Sequence, residues 1–363
     1  MRFTKPRDDV ARARGVAAGA RPSRKSVEEL TFEGGFGTLA LKAGTQKENI
    51  MSKHLLSIIA LCALTACSGA AVVGPADGTP PDGSTDTPNG SGSLNGADLN
   101  IPSDLLVNLE SVVYDPSGET LQVEIAGLDS TPALVPYVRD PDLDVAGFQA
   151  YRIQEDALDR LFIALAKTST DGSVSAVTVA DGGQFNRYFA GGIYARSGDY
   201  DPPSGQVSYA GRYAGLTNIK ADPSLTTNKL IDPAGSASVN WPDQPSRVEG
   251  KVFLDANFSK NLVNGAVYDR WLIDAIDTPI ALDDVILVST SIASDGTFAG
   301  TAEDDTDQKA IGSYGGVFGG VGANSVAGAV HLEDHIEIWE KEQEHGVFVL
   351  EQCTPGEPGC GTP

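Results

Sequence analysis

Histidine, cysteine and positive charge are all scarce in this chain. Of its 363 residues four are His, four Cys, two Met and three Trp, and 26 Lys and Arg stand against 49 Asp and Glu, for a net charge of −23. Such acidity repels phosphate backbones and anionic lipid surfaces, so it excludes a nucleic-acid partner; a cationic partner, or one recognised by shape, is compatible with it. The histidines beyond residue 66 are His331, His335 and His345, all in one acidic segment near the C-terminus. There is no G-x-S-x-G elbow, and "HLEDH" (331–335) is not the H-E-x-x-H of zinc proteases. No catalytic residue, cofactor or metal site is therefore expected, and the chain does not read as an enzyme. Long apolar runs are missing as well. A membrane-spanning helix needs about 20 apolar residues, and the stretch Leu55–Leu64 is too short to span.

That stretch lies within "MSKHLLSIIALCALTACSGAA", which begins at Met51. Lys53 is a positive n-region and Leu55–Leu64 an h-region in the usual range of roughly 7–15 residues. The following "LTAC" resembles the lipobox of bacterial lipoproteins. The resemblance implies cleavage before Cys67 and acylation of its thiol, each buried methylene adding ~0.8 kcal/mol of membrane affinity. Residues 51–66 are then a signal peptide. Fifty residues precede it, with 10 Lys and Arg against 6 Asp and Glu and no sustained apolar period. Either translation starts at Met51, or the n-region is unusually long; in both cases residues 1–50 stand outside the fold. Residues 67–363 carry 15 basic and 43 acidic residues, a net charge near −28.

Residues 67–103 are Gly, Pro, Ser, Thr and Asp with almost no core-forming side chains. They cannot offset their ordering entropy and read as a disordered tether, spanning roughly 30 Å by flexible-chain scaling. Cys62 leaves with the signal and Cys67 carries lipid. The remaining pair, Cys353 and Cys360 in "CTPGEPGC", reads as a small disulfide loop in an oxidising compartment, with the tail completing residues 353–363.

Between these ends the pattern is strand after strand. Residues 104–200 hold several β-rich runs around Pro116-Ser117-Gly118 and Asp171-Gly172; only "IQEDALDRL" has a helical look. Residues 201–352 hold eight candidate strands, at about 206–216, 247–258, 262–270, 284–293, 296–303, 311–319, 325–333 and 345–352. In "RVEGKVFLDANF" Val248, Val252, Leu254, Ala256 and Phe258 share one face with Gly250, while Arg247, Glu249, Lys251, Asp255 and Asn257 share the other. One apolar and one solvated face is the mark of an antiparallel sheet. The fold class expected is all-β: an eight-stranded antiparallel up-and-down β-barrel, preceded by a smaller β-rich handle-like domain at 104–200. Glycines within the strands (Gly211, Gly215, Gly300, Gly316, Gly328) fit tight barrel curvature. A barrel spanning the outer membrane would need the apolar face outside and the charges crowded into a narrow lumen, and that assignment is rejected.

"SYAGRYAGL", "GTFAGTAE" and "GSYGGVFGGVGANSVAGAVHLE" carry a family likeness. They resemble the C-terminal hairpin of the barrel domains in transferrin-binding protein B and related surface lipoproteins. Gly316, Phe318, Gly320, Val326, Ala327 and Gly328 hold places comparable to that hairpin's glycine, aromatic and small residues. The resemblance covers about residues 205–352 and implies one lobe, a handle followed by a barrel, in a family that binds proteins or haem-type solutes through loops. Those loops do not transfer by motif, so no binding residue is carried over.

Three acidic or histidine clusters invite site readings and fail them. His331 and His335 lie four residues apart on an alternating strand, about 13 Å at ~3.3 Å per residue, too far for one metal ion with bonds near 2 Å; both are expected on the solvated face. Asp140, Asp142 and Asp144 lack the Gly and Glu of a calcium loop, those places being Val145 and Tyr151, and read as a solvated turn. Glu303 to Asp307 reads likewise. The expectation is thus a lipoprotein attached to the outer membrane through Cys67, at the cell surface, binding an unknown protein or small solute. The alternative is a structural or envelope-maintenance lipoprotein facing the periplasm, without a ligand.

Overall fold

The computed structural model describes residues 92–95, 99–115, 117–127, 134–232, 241–277, 279–354 and 360. The first eight strands are β1 (Gly92–Asn95), β2 (Leu109–Tyr114), β3 (Thr120–Ile125), β4 (Val135–Arg139), β5 (Gln149–Ile153), β6 (Phe162–Thr168), β7 (Val174–Asp181) and β8 (Ala190–Arg196). They form one antiparallel meander in chain order, with a single helical turn α1 (Ser103–Leu106) between β1 and β2. β1 falls in the segment whose composition reads as tether; it pairs with β2 from Gly92↔Tyr114 to Asn95↔Ser111, so the sheet begins earlier than expected. "IQEDALDRL" is a turn-rich connection and not a helix.

The remaining strands are β9 (Gln206–Lys220), β10 (Pro245–Asn257), β11 (Leu262–Leu272), β12 (Ile280–Leu282), β13 (Val285–Ser291), β14 (Thr297–Asp304), β15 (Ala310–Gly319), β16 (Ser325–Glu333) and β17 (Gln343–Gln352). All but β12 are the expected eight. Each pairs antiparallel with its chain neighbour, and β17 returns to β9, closing an eight-stranded up-and-down barrel. β12 is a short addition to the end of β11.

Alternation decides what fills the barrel. Val248, Val252, Leu254, Ala256 and Phe258 point into the lumen, as their parity requires, and join Tyr209, Tyr213, Phe298, Tyr314, Phe318 and Phe348 in one buried cluster. The outward face is not uniformly solvated. Ala214, Leu216, Val317, Ala327, Ala329, Val347 and Val349 point out of the barrel and are buried in the core of the first sheet, whose β7 and β8 lie on β15, β16, β17 and β9. Elsewhere the outside is mixed, with the exposed Lys251–Asp269 pair alongside exposed Leu262, Trp271 and Ile286. A lipid-facing barrel has a polar interior, whereas this one is filled with apolar and aromatic side chains. No helix among the described residues is long and apolar enough to cross a membrane.

The two sheets share two ends. At one, the β6–β7 turn meets the β15–β16 turn: Thr170 N–H donates to Glu351 (2.8 Å) and Ser325 Oγ to Asp171 (3.3 Å). Gly320 sits here with φ +75, where Asn324 and Asp171 leave no room for a side chain. β1 starts at this end, since Gly92 pairs with Tyr114 and the Tyr114 hydroxyl donates to Gln149 (2.9 Å). At the other end the 182–189 connection meets the long β9–β10 connection, with Asp243 N–H donating to Gly183 O (3.2 Å).

Candidate functional site

Among the described residues, aromatic side chains fill the lumen. Phe318 packs its ring 5.1 Å from Phe258, 5.1 Å from Phe298 and 5.4 Å from Tyr209, centroid to centroid. The strand glycines serve this packing. Gly316 lies directly opposite Phe298, Gly300 opposite Tyr314 and Gly328 opposite Phe348, and each yields its side-chain volume to that ring. Space for the neighbouring aromatic, more than curvature alone, explains them.

Charge plugs the lumen at one mouth. Arg270 and Glu344 are 1% and 0% exposed, and Arg270 Nη2 donates to Glu344 Oε2 (2.8 Å). The Tyr213 hydroxyl donates to Glu344 Oε1 (2.5 Å), and Arg270 Nη1 donates to Asp283 O (2.6 Å). Burial would raise the Glu344 carboxyl, but Arg270, then the His335 and Tyr213 contacts, hold it down to about 2. A second buried pair closes the same end: Arg247 Nη2 donates to Asp274 (2.7 Å). Arg247 has the outward parity of its strand, yet it is buried and not solvated. The partner that covers it comes from a connection 27 residues on.

Features suited to recognition lie outside the barrel, among them those of the 182–189 hairpin. Gln184 and Arg187 face each other as an isolated antiparallel bridge, leaving Phe185 and Asn186 as a two-residue turn with φ +56 at each. Positive φ at both positions suits Asn and Gly; a bulky side chain there is strained. Phe185 is nonetheless 60% exposed at the tip. Beneath it the Arg160 guanidinium pins the hairpin, donating to Gln184 O (2.7 Å), to Arg187 O (3.0 Å) and to the buried Asp181 carboxylate, and lying 4.8 Å over the Phe189 ring. Burial pushes the Asp181 carboxyl up, against the opposing pull of Phe189 N–H and Arg160. The Gln184 amide donates to Leu158 O (2.8 Å), which brings Leu158, also 60% exposed, beside the tip. Gly127, Arg160, Phe185, Arg187 and Phe189 line an open cleft of about 430 Å³. An exposed aromatic and aliphatic pair beside an exposed arginine, on a rigidly held strained turn, is equipped to bind another surface.

The residues singled out in the sequence fare unevenly. Cys67, the signal at 51–66 and residues 1–50 lie outside the described residues. Cys353 and Cys360 are joined by a disulfide. Asp142 and Asp144 are exposed, as a solvated turn requires, while Asp140 is largely covered; each also has a cation, Arg152 pairing with Asp140 (2.6 Å), Lys229 with Asp142 (2.7 Å) and Arg139 with Asp144 (2.6 Å). Glu303 to Asp307 is an exposed turn in which Asp304 accepts from Thr306 N–H (2.8 Å). Neither histidine is solvated. His335 leaves the strand and turns inward to Glu342 (3.4 Å) and Glu344 (3.3 Å), its side chain 2% exposed; His331 does point outward, but onto a face covered by the first sheet. No group of three or more His, Cys, Asp or Glu suited to a metal occurs among the described residues.

No family model matches the chain, and no curated protein matches it by sequence. Solved structures do match. A transferrin-binding protein B double mutant from Haemophilus parasuis aligns at 14% identity and TM-score 0.33, over 67% of this chain and 53% of that one. Isotype 1 transferrin-binding protein B from serogroup B Neisseria meningitidis aligns at 13% and 0.31, over 67% and 51%. The N-lobe of lactoferrin-binding protein B from Moraxella bovis aligns at 16% and 0.28, over 57% and 80%. The chain spans about half the length of the transferrin-binding structures it matches.

Proposed function

We propose that the protein is a lipoprotein of the outer membrane, anchored through Cys67 and displayed at the cell surface, that binds a partner protein with the end carrying Phe185. The single observation behind this is the strained, exposed Phe185 lining a cleft with Arg187, the exposed Leu158 being tied to the same hairpin through Gln184, set against a lumen already filled by side chains. A packed lumen favours a protein partner over an enclosed solute. The placement of β1 supports the orientation: it starts at the end away from the 182–189 hairpin, so a tether leading into Gly92 would present the Phe185 end outward. The barrel hairpin resemblance adds the expectation of recognition through loops.

Three experiments test this. Cys67→Ala should move the protein from the membrane to the soluble fraction, and protease added to intact cells should degrade the wild type. Membrane retention of the variant would remove the anchor, and protection until the cells are permeabilised would place the protein in the periplasm without surface access. For the binding end, the soluble full chain should capture a partner that the Leu158→Asp/Phe185→Asp chain captures at least tenfold less, equivalent to about 1.4 kcal/mol. Equal capture by both would clear this surface of the role.

A further inference from the structure

Beneath the Phe185 hairpin lies a polar cluster that none of the foregoing uses. His331 on β16 and His345 on β17 are paired in register, and their rings stack face to face on the outside of the barrel, 4.3 Å apart and 11° from parallel. Tyr188, from the hairpin itself, packs its ring 5.9 Å from that of His345. His345 is 1% exposed. Both its ring nitrogens, the Tyr188 hydroxyl and His331 Nε2 are buried without a hydrogen-bond partner among the described residues. Buried polar groups are nearly always partnered, so four such atoms in one contact require an explanation.

The charges facing this cluster do not neutralise it. On β16, Glu333 Oε1 is 3.4 Å from His331 Nε2 but is itself exposed. From α1, Asp104 faces His331 through its backbone and its charge, and His335 opposes it. Glu344 acts on His345 only from the other side of the barrel wall, where Arg270 already holds it. Asp181 reaches the cluster through Tyr188. From β7, Thr178 donates to His345 O (2.8 Å), a backbone bond that leaves the ring untouched. Burial accordingly pushes both imidazoles below their ordinary value, His345 the further.

We propose that His331, His345 and Tyr188 form an acid-released latch that seats the 182–189 hairpin on the barrel. With the hairpin closed, the His345 ring cannot take up a proton without burying an unpaired charge beside the stacked His331. With it open, Tyr188 leaves His345, whose imidazole regains solvent and an ordinary pKa of about 6.5. Falling pH therefore favours the open form: the closed state is fully supported above about pH 6.5 and loses that support as pH drops below it. Any effect on partner capture rests on the docking role proposed for Phe185; the latch itself does not.

Hydrogen exchange on the full chain tests the latch without a partner. The amides of Gln184, Arg187 and Phe189, all hydrogen-bonded in the closed hairpin, should lose about tenfold or more of their protection between pH 7 and pH 5, after correction for intrinsic rates. β10 and β11 should keep theirs. His345→Phe preserves the stack and removes the titration, so its hairpin should stay protected at pH 5. Unchanged protection in the wild type, or an equal loss in His345→Phe, overturns the proposal. The wild-type chain gives a second readout should that variant not fold: the His345 imidazole, followed by NMR, should titrate together with hairpin opening. Titration near pH 6.5 with the hairpin still protected overturns it as well.

Discussion

Arg270→Met is expected to destabilise the protein by about 3–5 kcal/mol, the usual cost of stranding one member of a buried ion pair. Glu344 would then keep its charge in a sealed lumen, with only Tyr213 and His335 to contact it. At about 2–4 °C per kcal/mol for a protein of this class, the midpoint of thermal unfolding should fall by roughly 10 °C. The pH dependence separates this cause from lost packing. In the wild type Glu344 is held down to about 2, below the ordinary carboxylate value, so its contribution is present above about pH 4.5 and lost as pH falls from there towards 2. Without Arg270, burial governs, and the carboxyl rises. The variant's deficit should therefore be largest at neutral pH and shrink on acidification. Adding Glu344→Gln should recover most of the loss, since a neutral amide can still meet Tyr213. Urea unfolding at pH 7 and pH 4 checks both points, and a deficit that does not change with pH would show that packing, not stranded charge, is responsible.

The same residues show what the sequence could and could not disclose. The eight barrel strands were legible because alternation in segments such as "RVEGKVFLDANF" is a local property of a chain with one face inside. Parity correctly assigned Val248, Val252 and Leu254 to the lumen and His331 to the outside. It could not say what lies over the outside. A second sheet covers β15, β16, β17 and β9, so a position with solvated parity becomes a buried one, and the stack of His331 on His345 followed from a register that no local pattern contains. Arg247 misled for the same reason: the strand does not reveal that Asp274 folds back over it. The acidic run at Asp140 to Asp144 does expose Asp142 and Asp144, but its pairing was not legible, because Lys229 arrives from a connection nearly ninety residues away.

The recognition surface was hardest to see. "FNRYFAGGIYAR" reads as one β-rich run from Phe185, whereas the strand begins at Ala190 and Phe185 and Asn186 form a turn; the glycines and Asn186 around it are the only local signal. Its meaning depended on Phe185 taking positive φ while remaining exposed, and on Arg160 and Leu158 arriving from the β5–β6 connection. Those are facts of three-dimensional arrangement. Glycine in the strands was legible as a need for space, but which atoms needed it was not.

Gly316 converts that need into a measurable cost. A methyl group built there would stand 2.5 Å from Cζ of Phe298 and 2.6 Å from the carbonyl oxygen of Ala327 on the next strand. The ring has little room to retreat, because it already packs 5.1 Å from Phe318 and 6.1 Å from Tyr314, and the carbonyl belongs to a strand paired along its whole length. Alanine would gain about 0.5–1 kcal/mol over glycine from reduced backbone entropy in the unfolded chain. Overpacking against a ring and a backbone atom together should exceed that gain, since such insertions cost 1–3 kcal/mol or more each. Gly316→Ala is therefore expected to lower stability by about 2 kcal/mol net, or about 4–8 °C in the unfolding midpoint. If the ring is the main obstacle, Phe298→Leu should be harmful in the wild type but much less so beside Gly316→Ala, giving a coupling of about 1 kcal/mol in a double-mutant cycle. Strict additivity would assign the cost to the Ala327 carbonyl and to strand separation, and a Gly316→Ala variant as stable as the wild type would remove ring accommodation as the reason this strand carries glycine.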